Sequence, residues 1–134
     1  ERTCNDPGFE KKWNRVFGGP LYLWDLDTKR KLIFLSTLAR WNPDVAPLYQ
    51  DQLILVVGLD IGGYGPNNLR ALKIAVKRKL GLEFMALGNG ADRLYAFKDE
   101  SQREDVLLML EDFRYKDIVE VLNKELRAHR RRSM

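Results

Sequence analysis

Histidine and cysteine are almost missing from this sequence, which has one of each in 134 residues, His129 and Cys4. A lone cysteine closes no internal disulfide, so a reducing, intracellular setting (cytoplasmic or nuclear) is the expectation. A single histidine amid arginines excludes a Ser-His triad and a zinc site of clustered Cys and His. No Lys-Ser or Lys-Thr pair occurs, which rules out the P-loop pattern, and Gly62, Gly63 and Gly65 are spaced wrongly for the dinucleotide fingerprint. No apolar run approaches the ~18 residues of a membrane span, and the opening ERTCNDPGFEKKW lacks the apolar centre of a signal peptide. Catalytic residues, metal ligands, cofactors and a membrane partner are therefore not assigned.

What is present is globular in character: 45% apolar residues against 31% charged. The length suits one domain over residues 1–134, with a basic, flexible tail at 127–134. Net charge is +4, and its placement matters more than its size. The last eight residues, RAHRRRSM, hold four arginines and no acid, so the rest of the chain balances. Between Ile61 and Leu82 there are five basic residues and no acid, whereas Lys98 to Glu125 holds nine acids and five bases. A basic face, an acidic face and a basic tail follow.

Along the chain, NDPGFEKKWNRVFGGP predicts a short helix with Asp6 as N-cap and Pro7 at its first position. Phe9, Trp13, Val16 and Phe17 share one stripe, and Gly18-Gly19-Pro20 ends the helix. LYLWDLD and KLIFLST around Thr28-Lys29-Arg30 predict a β-hairpin. LARWNPDVAPLYQDQ, interrupted by Pro43 and Pro47, predicts a loop with at most one short helical turn. The continuous apolar run LILVVGLD predicts a central strand, and a helix follows from about Asn68 to Leu80, stopped by Gly81. LEFMALG and RLYAFKD around Gly88-Asn89-Gly90 predict a second hairpin. Ser101 and Glu104 have capping-box spacing for a helix to about Phe113, and a last helix spans roughly Tyr115 to Arg130. The expected order is α-β-β-(turn)-β-α-β-β-α-α, an α+β fold with a mixed β-sheet of about five strands and helices packed on it. From Lys31 to Asp99 that order resembles, without motif residues, the β-α-β-α-β-β order of small nucleic-acid-binding domains such as Alba.

The candidate sites cluster around GLDIGGYGPNN and the helix it opens. Leu69, Leu72, Val76 and Leu80 form a narrow apolar stripe, and Arg70, Lys73 and Lys77 a basic row beside it. A docked apolar stripe fixes that row outward, which suits a phosphate backbone. Arg78, Tyr64 as a stacking ring, and the tail residues Arg127, Arg130, Arg131 and Arg132 complete the expected contact set. The leading expectation is thus a non-enzymatic nucleic-acid-binding domain, RNA ahead of DNA. The alternative is a protein-interaction or self-assembly module, docking through Phe9, Trp13 and Phe17 and through the acidic C-terminal helices to a protein partner or a homo-oligomer. The third is a metal- or nucleotide-dependent enzyme around Asp60, with Asp25 or Asp27 sharing one face of a strand end as a second carboxylate.

Overall fold

A computed structural model describes residues 3–42, 44–58, 63–111, 117–125 and 128. The architecture is mostly helical: α1 (Phe9–Phe17), α2 (Leu26–Arg40), α3 (Gln50–Val57), α4 (Pro66–Leu80) and α5 (Glu100–Glu111), with a sixth helical stretch at 117–125. One antiparallel pair, β1 (Phe84–Leu87) and β2 (Leu94–Phe97), is the sheet among the described residues. The five-strand mixed sheet is thus overturned, and the order that resembled Alba goes with it.

The first hairpin fails at its centre. Leu21–Leu23 is a single 3-10 turn, and the segment that follows is the fifteen-residue helix α2. Asp25 starts that helix rather than ending a strand: its carboxylate accepts the Thr28 N–H at 2.8 Å. The difference has a physical cause. α2 contacts α5, α3, α4 and β2, so Lys31 through Ser36 are all buried and no polar face marks a helical period. An apolar run covered on every side looks the same whether it is strand or helix.

LILVV is likewise helix, not a central strand. Gln52 turns its side chain back to accept the Tyr49 N–H at 2.8 Å, opening α3. Gln50, Leu53 and Val57 are buried at helical spacing, whereas Leu55, which a central strand would have covered, is 57% exposed. The segment expected to be loop from Leu38 to Gln52 is therefore helix at both ends, in α2 and in α3.

The other elements lie close to expectation. Gly81 stops α4 in the left-handed region (φ 66°), its N–H donating to the Lys77 carbonyl at 2.8 Å. The second hairpin forms with Phe84 opposite Phe97 and Leu87 opposite Leu94. Gly88 is required there: its φ is 83°, and a Cβ would meet the Asp92 carbonyl oxygen at 2.8 Å. α5 begins one residue early because Asp99, not Ser101, supplies the cap, accepting the Ser101 N–H at 2.9 Å. α1 begins at Phe9 with Gly8, not Asp6, at its N-cap, so Pro7 lies ahead of the helix, where Asp6 accepts the Gly8 N–H at 3.0 Å.

The core is continuous across these elements. Phe9, Trp13 and Phe17 of α1 meet Leu69, Leu72, Val76 and Leu80 of α4 and the middle of α2 in one buried cluster. Phe9–Trp13, Trp13–Phe17 and Phe17–Trp24 ring centroids lie 6.0, 4.6 and 5.5 Å apart, all tilted. Buried Asp105 on α5 ties the N-terminus down, accepting the Asn5 and Asp6 N–H groups at 2.6 and 3.0 Å. Among the described residues no helix is long and apolar enough to cross a membrane.

Candidate nucleic-acid interface

α4 carries the site because its two stripes do different work. Leu69, Leu72, Val76 and Leu80 are buried against α1, α2 and α3, which fixes the rotation of the helix. That rotation leaves Arg70 and Lys77 exposed and Lys73 half-buried at the edge of the docked stripe.

The hairpin supplies a member that sequence spacing did not reveal. The Leu48–Gln50 segment closes the outer edge of β2: the Tyr95 N–H donates to the Leu48 carbonyl at 3.3 Å, and the Gln50 N–H to the Arg93 carbonyl at 2.8 Å. These bonds anchor Arg93 and Tyr95 beside α4. The Lys73 ammonium sits 5.2 Å from the centroid of the Tyr95 ring, while the Tyr95 hydroxyl donates to Gln50 Oε1 at 3.1 Å. Burial lowers the Lys73 pKa below the usual lysine value, and the charges of Arg93, Arg70 and Lys77 push it the same way. Four cations thus converge, and none of them makes an ion pair among the described residues. Two exposed and two half-buried cations without an ion-pair partner among those residues are what this face presents. Arg93 stands 16 residues beyond Lys77 in sequence, so helix periodicity alone gave no sign of it. The only hint was its place just before a strand in a clear hairpin.

The other predicted residues are dispersed. Arg78 points away from the row and lines, with Arg15, Thr28 and Lys79, an open hollow of about 380 Å³ on the opposite flank of α4. Tyr64 is no free stacking ring: it is half-buried, packs on Gly58, and carries the Arg30 guanidinium 4.8 Å from its centroid. Phe9, Trp13 and Phe17, expected as a docking face, are enclosed in the chain's own core. Acids of the C-terminal half are also engaged internally: Glu100 with Arg103 at 2.7 Å, Glu125 with Lys29 at 3.2 Å, and Asp105 with the N-terminus. Asp25 and Asp27 lie on the first turn of α2 rather than on a strand end, and Asp25 is occupied as the cap. Asp60 and the tail residues Arg127, Arg130, Arg131 and Arg132 lie outside the described residues. Among those described, no three His, Cys, Asp or Glu side chains gather as metal ligands would.

Compared with protein-family models, curated proteins and solved structures, the chain matches none of them.

Proposed function

We propose that the chain binds the phosphate backbone of nucleic acid, without catalysing a reaction, through the face formed by Arg70, Lys73, Lys77 and Arg93. The observation that carries this is the state of Lys73. Its ammonium group is held in unfavourable surroundings by burial and by three neighbouring cations, with no acid among the causes. A phosphate chain laid across the four would relieve that repulsion, so the free-energy gain is largest for a polyanion and small for a single charge. Because α4 is docked along its apolar stripe, engaging phosphates costs these side chains little backbone ordering. The arginines at 127 and 130–132 add long-range attraction. An intracellular setting goes with this reading, as does the lone Cys4.

The test is a titration of labelled single- and double-stranded RNA and DNA over a salt series. Wild type is expected to bind with affinity falling linearly in log salt. Each lost phosphate contact lowers that slope by about 0.7–0.9, so changing Arg70, Lys73 and Lys77 to glutamate should flatten it by about two to three. Absence of salt-dependent binding to all four probes would end the assignment.

A further inference from the structure

On the α2 side of α4 lies a groove of about 180 Å³, lined by Asp27, Arg30, Lys31, Tyr64, Asn68 and the small side chains of α4. It is separate from the basic face. At 100° per residue, Asn68, Ala71 and Ala75 flank the buried stripe of α4 on one side, and Arg70, Lys73 and Lys77 flank it on the other.

Two independent features meet in this groove. The first is a bare helix start. α4 has fifteen residues and no side-chain cap, since Gly65 has no side chain to offer and Pro66 has no N–H. Asn68 instead accepts the Gly65 N–H at 3.0 Å. The N–H groups of Asn67 and Asn68 are left without a hydrogen-bond acceptor among the described residues, at the positive end of the helix dipole.

The second feature is Lys31. It is 7% exposed and lines the groove, yet its ammonium group makes no hydrogen bond or close ion pair among the described residues. The Asp25 carboxylate feels it only at longer range. Its stem is enclosed while the ammonium itself opens into the groove, so a charge without a close counter-ion faces whatever enters there. Arg30 adds a second buried cation: its Nε donates to the Val57 carbonyl at 3.1 Å and its plane lies on Tyr64. The exposed Asp27 is the one acid on the groove wall among the described residues.

We propose that this groove is a phosphate-binding site, in which Lys31 and the Asn67 and Asn68 N–H groups hold the phosphate of a nucleotide or of a nucleic-acid strand. At about 180 Å³ the groove has room for a phosphate group and for part of what carries it. Two nitrogens of the main chain and one ammonium supply directional donors, and Arg30 supplies field.

The experiment follows the Asn67 and Asn68 amide signals by NMR in the full chain during titration with inorganic phosphate, adenosine 5′-monophosphate and adenosine. Saturable shifts with the first two and none with adenosine are expected. Lys31→Met should weaken phosphate binding about tenfold or more. Its melting temperature should not fall, because an apolar chain of similar length replaces an unpartnered charge. Lys31→Gln is a second neutral variant should Met repack the site. The Arg70, Lys73 and Lys77 glutamate triple variant should keep the saturable Asn67 and Asn68 shifts with inorganic phosphate, though at weaker affinity because the field has changed, which keeps this outcome distinct from that of the basic face. Competition with inorganic phosphate by a 5′-phosphorylated oligonucleotide but not its 5′-hydroxyl twin would identify a terminal phosphate. Competition by both would identify the backbone, and either result supports the site. No saturable shift with inorganic phosphate, or shifts unchanged in both Lys31 variants, would overturn it.

Discussion

Lys73 shows how one residue couples stability to binding. Its pKa is lowered, so the folded state disfavours its charged form relative to the unfolded chain. The penalty is present in full below the folded pKa and is relieved as pH rises toward 10.5, the ordinary lysine value. Lys73→Met should therefore raise the melting temperature at pH 7, abolish the stability gain between neutral and alkaline pH, and weaken nucleic-acid binding. Thermal scans over that pH range check it, and a variant less stable than wild type at pH 7 would refute the strain. Trp13 sits at the other extreme, fully enclosed at 0% exposure. Trp13→Ala should cost about 3–5 kcal/mol in urea unfolding, through lost transfer energy and the cavity left behind. An unchanged midpoint would mean that α1 is not part of the core. Cys4 is the quiet case: burial raises its thiol pKa, and the charges of Asp105, Glu10 and Asp6 raise it further. Its alkylation at pH 7 should be slower than that of a free cysteine.

At the level of elements, the caps decide more than the apolar runs do. Asp25 holds the start of α2, the helix against which most of the fold packs. Its carboxyl is kept below the ordinary 3.8 first by the side-chain hydrogen bond from Thr28 and then by the Thr28 N–H. This contribution is complete above 3.8 and is lost as pH falls through the lowered folded value. Asp25→Ala should cost about 1 kcal/mol at pH 7, whereas Asp25→Asn should keep most of the cap and lose the acid dependence. Acid titration of unfolding for the two variants separates these effects. The hairpin makes a similar demand at Gly88, where alanine meets both a positive φ and the Asp92 carbonyl, so Gly88→Ala should lower the melting temperature.

These same elements show what the sequence made legible. α1, α4 and the second hairpin were readable because each has a polar side and clear punctuation, such as Gly81 after Leu80 or Gly88-Asn89-Gly90. α2 and α3 were not, because KLIFL and LILVV present contiguous apolar residues without a period. The deciding signals were short polar contacts at the helix starts, Asp25 with Thr28 and Gln52 with Tyr49. The site divided in the same way. The α4 row was visible from spacing. Arg93 and Lys31 were not, since their meaning depends on which elements pack beside them.

For the whole molecule, a net charge of +4 understates the asymmetry. Acids of α5 are engaged by Arg103 and by the N-terminal amides, while the cations of the α4 row and the half-buried Arg93 have no ion-pair partner among the described residues. The central claim is that Arg93, brought in by the hairpin, acts with the helical row as one phosphate-binding face. The most direct measurement is the slope of log affinity against log salt for Arg93→Gln, beside Arg40→Gln as a control exposed at the end of α2. The expected result is a slope shallower by about 0.7–0.9 for Arg93→Gln and unchanged for Arg40→Gln. Equal slopes for wild type and Arg93→Gln, with both proteins folded, would contradict the claim.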